Sequence, residues 1–296
     1  MKQIVFTGLI ILCSALCLNT QAKKKKKETT TPTEVVTAFN VQPINPRYWD
    51  KQVECHRGFK GFPENTLIGL EEAIMQGFQI VECDVAFSKD DVPILSHDPT
   101  IDRCSYGRGL TTDYTIQQLT QMDFGGKKDK KFAGTPITTL KEALMLCRRN
   151  NAVIELDCAN KKRFPNSKYP IIYNLVKKCG MLNSTIFCDD AENLKTLLDI
   201  DPNVIVSISH CISIKDVEKG LEVAKRARFA DFSIRNTLVT QPLVNYIHDN
   251  GFYVKIWTID NSAEMKRFVN MGVDHIISNE LGPRFDYRII EVKPED

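Results

Sequence analysis

No glycine-rich nucleotide or phosphate loop follows the first strand-like run of this 296-residue sequence, and no Cys-x-x-Cys pair occurs in it. The first absence weakens any doubly wound, nucleotide-binding sheet. The second leaves no short-chain disulfide framework to read. Beyond residue 22 no apolar run approaches the roughly 18 residues needed to cross a bilayer. An excess of one charge is lacking too: 39 basic residues face 37 acidic ones, a net +2. Nucleic-acid binders usually carry a strongly basic domain or face, so that class is disfavoured. Even this small excess comes from the consecutive lysines Lys23–Lys27, without which the body is slightly acidic. With 43% apolar and 26% charged residues, the composition is that of a globular chain.

The amino terminus has the form of an export leader. Met1-Lys2 opens a short positive region, Ile4–Leu18 is almost wholly apolar, and Thr20-Gln21-Ala22 sets small residues at −3 and −1. This predicts a signal peptide over 1–22 and a periplasmic or extracellular protein. Leucine precedes both Cys13 and Cys17, a poor fit to a lipoprotein cleavage site. Residues 23–45, rich in Lys, Thr and Pro, read as a solvated tether, and 46–296 as one folded domain. Cys55, Cys83, Cys158, Cys188 and Cys211 lie in or beside strand-like runs, where they read as small buried hydrophobes rather than bridges.

Strand-like runs recur at Val53–Cys55, Gln79–Ala86, Ala152–Cys158, Thr185–Cys188, Val204–Ser209, Phe229–Ile234, Tyr253–Ile259 and Val273–Ser278. Helical patterns separate them, and Gly77, Gly180, Gly251 and Gly272 close four of these as C-terminal glycines do. Strands alternating with helices predict parallel βαβ units. Eight of them predict an α/β fold closed as a (β/α)8 TIM barrel, with its site at the C-terminal ends of the strands. An open doubly wound sheet is the alternative. The glycine-rich interval Pro99–Pro136 breaks the alternation and reads as a small insertion over the rim, after His97-Asp98.

Polar residues gather where such a barrel has its mouth. His56-Arg57-Gly58 follows the first strand, Glu82 and Asp84 end the second, Ser96-His97-Asp98 follows Val92–Leu95, and Glu155 and Asp157 end the third. Residues i and i+2 of a strand share a face, so each carboxylate pair points one way. Four carboxylates in one mouth cannot all ionise without compensation. A divalent cation would supply it, and an oxygen-only donor set suits Mg²⁺ or Ca²⁺. Salt bridges to loop lysines are the alternative. His56 and His97, beside these carboxylates and an arginine, suit acid–base work near neutral pH. Arg57 can grip two phosphoryl oxygens. His210, His248 and His275 lack such company and read as structural or surface residues.

These motifs resemble the glycerophosphodiester phosphodiesterases. The matching pieces are His56-Arg57-Gly58 with Pro63-Glu64-Asn65-Thr66, then ECDVAFSKDDVPILSHDPTIDR from Glu82, TPITTLKEAL, Ile154-Glu155-Leu156, Trp257-Thr258 and GVDHIISN. The resemblance implies a TIM barrel and a divalent cation held by Glu82, Asp84 and Glu155. It also implies His56 and His97 as the acid–base pair, Arg57 on the phosphate and Trp257 against the substrate, a small glycerophosphodiester. Neither a nucleic acid nor a protein partner is implied. One position departs: where the family carries a phosphate-binding lysine two residues after the third-strand glutamate, this chain has Asp157. Lys255 shares a strand face with Trp257 and is the candidate to restore that charge; the alternatives are that Asp157 is an extra metal ligand or binds a cationic or hydroxylated substrate group. Two other readings stand beside hydrolysis of glycerophosphodiesters to glycerol 3-phosphate and an alcohol. One is a phospholipase D-like enzyme on lysolipid or sphingolipid headgroups, and the other a noncatalytic binder of phosphate ligands.

Overall fold

The computed structural model describes residues 52–284; the leader over 1–22 and the tether over 23–45 lie outside them. In chain order the elements are β1 (Gln52–His56), α1 (Leu67–Met75), β2 (Ile80–Phe87), β3 (Pro93–Leu95), α2 (Ile116–Leu119), α3 (Leu140–Arg149), β4 (Val153–Asp157), α4 (Tyr169–Lys178), β5 (Thr185–Asp190), α5 (Ala191–Ile200), β6 (Ile205–Ser209), α6 (Ile214–Ala224), β7 (Phe229–Arg235), α7 (Gln241–Asp249), β8 (Tyr253–Trp257), α8 (Ser262–Asn270) and β9 (His275–Ser278). Strands β1, β2 and β4 to β9 pair in parallel, and β1 bonds both β2 and β9, so eight strands close on themselves. This is the (β/α)8 barrel that the alternation predicts. β3 stays outside the ring as an antiparallel partner of β2.

Most of the helices begin where a polar side chain satisfies free N–H groups; α4 does not. Thr66, Thr139, Asp190, Ser213, Thr240 and Asn261 cap α1, α3, α5, α6, α7 and α8. The first helix starts at Leu67, two residues after Asn65. Asn65 takes a positive φ of 55° and uses its side chain on Asp84.

The outward strand residues and inward helix faces form one continuous core. The insertion packs its own small cluster of Ile101, Leu119, Phe124 and Ile137 on Ala86 and Ile94 of the β2–β3 hairpin. The inside of the ring is different. Its floor is Ile80, Val153, Ile186 and Ile205 with Phe229. Two residues further along these strands stand Glu82, Glu155, Cys188, Ser207 and Asp231, and the next step brings Asp84 and Asp157. The barrel is thus apolar below and ionic above. The eight described cysteines are all free thiols, seven of them buried.

Candidate active site

The turn after β1 sets the first functional groups. Arg57 has φ 59° and Gly58 φ 98°. A Cβ on Gly58 would sit 2.8 Å from the carbonyl carbon of Gly69, so the tight turn requires glycine. In this turn the Arg57 backbone N–H reaches the Glu82 carboxylate at 3.1 Å. The Arg57 guanidinium lies 3.1 Å from Asp84 Oδ2 and 3.5 Å from Glu64. Glu64 is committed more strongly to Arg103, whose guanidinium grips both of its oxygens. Asn65 braces Asp84, donating to Oδ2 at 2.8 Å and accepting from the Asp84 N–H at 3.0 Å.

Three carboxylates converge: Glu82, Asp84 and Asp157 each offer an oxygen within 4.8 Å of the others. Burial, then the neighbouring Asp84, pushes the Glu82 carboxyl well above the usual range. Burial opposes ionisation of Asp84 too, but Arg163 and Arg57 hold it below the usual range. Asp84 Oδ1 is buried without a hydrogen bond. A buried, oxygen-only cluster with an acid forced toward neutrality fits a hard divalent cation.

The third carboxylate of this cluster is Asp157, while Glu155, the ligand implied by the resemblance, lines the same cavity. Glu155 is turned to Lys255, whose ammonium binds it closely and also lies 3.1 Å from Glu54 and 3.3 Å from Asp231. Burial and the other two carboxylates still push Glu155 well above the usual range, because three acids share one ammonium. Lys255 has 0% exposure, and its ammonium is engaged by these three carboxylates inside the barrel. The positive charge beside Asp157 comes instead from Arg163 in the loop after β4. Its Nη2 lies 3.0 Å from Asp157 Oδ2 and 3.3 Å from Asp84 Oδ1, while Nη1 donates to the carbonyls of Val85 and Asp157. Arg163 is buried and was not legible in the sequence, for its loop carries no motif.

The two histidines reach the same cavity with different supports. The His56 Nδ1 lies 2.6 Å from Asn279 Oδ1, and Asp260 fixes that amide by accepting from its Nδ2 at 2.8 Å. Since an amide oxygen only accepts, Nδ1 carries the proton and the neutral ring presents Nε2 as an acceptor, 3.9 Å from Glu82. Burial and then Arg57 lower the His56 pKa. His97 Nδ1 meets the Asp98 carboxylate at 2.8 Å, and Arg103 holds Asp98 in turn at 2.7 Å.

His56, Arg57, Glu82, His97, Asp157 and Arg163 line a cavity of about 270 Å³ at the mouth. Its far wall holds Ser209, His210, Ser233, Arg235 and Trp257. Trp257 is thus part of the cavity wall. His210, read from sequence as structural or surface, is part of the wall. His248 and His275 pair with Asp274 and Glu54 outside the cavity.

A family model described as the glycerophosphoryl diester phosphodiesterase family matches residues 56–282. A glycerophosphodiester phosphodiesterase of Caldanaerobacter subterraneus subsp. tengcongensis is 26% identical over 231 residues, covering 77% of this chain and 93% of that protein. Glycerophosphodiester phosphodiesterase 1 of Mus musculus is 28% identical over 179 residues, 57% of this chain and 52% of its own length. Among solved structures, a phosphodiesterase of Oleispira antarctica in complex with the product sn-glycerol-3-phosphate is similar in fold. Its TM-score is 0.70 at 23% identity, over 79% of this chain and 95% of that one.

Proposed function

The chain belongs to the glycerophosphoryl diester phosphodiesterase family and is an enzyme of that class, and on this premise we propose how its own residues hydrolyse a glycerophosphodiester to glycerol 3-phosphate and an alcohol. The observation that carries the reading is one cavity holding two differently supported histidines beside Arg57. His56, neutral and with Nε2 facing the site, takes the proton of the attacking hydroxyl as its oxygen bonds to phosphorus. His97 delivers a proton to the alcohol oxygen as the phosphorus–oxygen bond breaks. Arg57 orients the phosphoryl oxygens. Glu82, Asp84 and Asp157 would hold a divalent cation, Mg²⁺ or Ca²⁺, which supplies charge neutralisation on those oxygens. The small, polar cavity favours a headgroup over a lipid chain: Trp257 and Ile277 are the large apolar side chains in its wall. The leader pattern supports export, and N-terminal sequencing of the secreted chain should begin at Lys23.

The reaction is tested by assaying the protein on a panel of glycerophosphodiesters with Mg²⁺, with Ca²⁺ and with EDTA. Release of glycerol 3-phosphate that EDTA abolishes is expected; hydrolysis that persists in EDTA would remove the cation from the reading. Binding can be measured apart from activity. Calorimetric titration with Mg²⁺ or Ca²⁺ should show Asp157→Asn weakened on the order of tenfold, because one charged donor is lost. Glu155→Gln should bind nearly as the parent does. The opposite ranking would return the third donor to Glu155.

The lowered His56 pKa has a kinetic consequence. The base works neutral, so activity fails only when acid protonates it, and a depressed pKa delays that failure. The acid limb of kcat/KM should therefore fall below pH 6.5, the ordinary histidine value. Arg57→Gln removes one of the causes and should move the limb upward, whatever it does to phosphate binding. A parent limb above the ordinary value would assign the base to another group.

A further inference from the structure

The cavity is electrostatically two-sided. In the closed ring β7 stands four strands from β2 through β4, β5 and β6, and is therefore opposite it. The β2–β4 side carries the carboxylate cluster with Arg57 and Arg163. The β6–β8 side contributes no carboxylate to the cavity wall; it offers Ser209, His210, Ser233, Arg235 and Trp257. Arg235 ends β7 at the rim, exposed, in register with Trp257 of β8. Its guanidinium carbon lies 5.1 Å from the Trp257 ring centroid. Among the described residues no carboxylate pairs with Arg235.

This stacking has two effects on the arm of a diester that reaches the rim. An aromatic face is what a quaternary ammonium group would seek, and here a cation already covers it. A choline-like group would meet like charge and an occupied ring. An anionic group would meet a guanidinium whose flat fork is stacked in place and whose donors have no acidic partner among the described residues. A carboxylate or phosphate on the leaving alcohol would thus gain charged hydrogen bonds at the same spot where a trimethylammonium group loses contact.

We propose that Arg235, stacked on Trp257, is a specificity-determining residue that selects glycerophosphodiesters whose alcohol carries an anionic group over those carrying a quaternary ammonium. The inference rests on the phosphodiesterase reading above. The probes are glycerophosphoserine and glycerophosphoethanolamine, which differ by a single carboxylate, with glycerophosphocholine as the quaternary case. For the full chain with Mg²⁺, kcat/KM for the serine diester should exceed that for the ethanolamine diester by about tenfold, the lower end for hydrogen bonds to a charged group at an exposed site. Arg235→Gln should bring the ratio close to one and improve the choline diester relative to the serine one. Arg235→Lys, which keeps the charge and loses the fork, should fall between. A merely structural role for Arg235 would lower all three substrates together. Hydrolysis of all three with a serine-to-ethanolamine ratio unmoved by Arg235→Gln overturns the inference while leaving the reaction intact. Hydrolysis of none removes the reading and the inference with it.

Discussion

Replacing His56 by alanine is expected to lower kcat/KM on a glycerophosphodiester by about 10²–10⁴-fold, the usual worth of a positioned general base. The expectation rests on how much of the structure is spent on this ring. Asn279, 223 residues away in sequence, accepts a hydrogen bond from Nδ1–H, and Asp260 pins the amide so that it cannot flip. The tautomer is thereby set with Nε2 open toward the cavity. The side chain is 18% exposed and fills no core position, so the substitution should leave thermal stability nearly unchanged. The loss should appear in kcat, with binding of glycerol 3-phosphate kept. Asn279→Ala should lose less, since the ring remains while its orientation loosens, and its loss should vary with pH. An alanine variant at 56 that keeps more than about a tenth of the parent rate would sink the assignment.

Lys255→Met should instead be a stability mutation, of about 3–5 kcal/mol or roughly 10 °C in Tm for a chain of this size. Lys255 is fully buried and shared by Glu54, Glu155 and Asp231, while Ser207 and His275 tie into the same layer. Removing that ammonium leaves its three acids in a low-dielectric space. They respond by holding protons, and above the ordinary carboxylate range that costs folding energy. The deficit relative to the parent should therefore shrink as pH falls toward 4 and widen toward neutrality, as carboxylates in the unfolded chain ionise freely. Glu155→Gln in the Lys255→Met background should recover part of it, because one of the uncompensated acids is gone. Urea unfolding of the two variants checks both statements. If Lys255→Met left Tm unchanged and weakened glycerol 3-phosphate binding, the lysine would belong to the phosphate site as the sequence suggested.

Much of this molecule could be read along the chain. Alternating short apolar runs and amphipathic helices specify parallel βαβ units, because each strand must be buried on both faces and each helix on one, and eight such strands point to a barrel. The inward parity of Glu82, Asp84, Glu155 and Asp157 follows from the period of two along a strand. The Gly58 turn and the capping threonines at 66 and 139 are likewise local, each set by a few neighbouring residues.

Parity, however, names a face and not a partner. Glu155 and Asp157 share a face of β4, and nothing in that strand says which one joins Glu82 and Asp84. The choice falls to two cations distant or unmarked in sequence. Lys255, a hundred residues on, engages Glu155, and Arg163, from a loop without a motif, balances Asp157. Arg235 on Trp257 and Asn279 on His56 are of the same kind. By itself the sequence determined the barrel, the acidic mouth and the two histidines, because these depend on local period and on motifs. Which charges neutralise which was decided only by the tertiary structure, since a Coulombic partner is chosen by distance in space, and the closed ring brings strands far apart in sequence within a few ångströms.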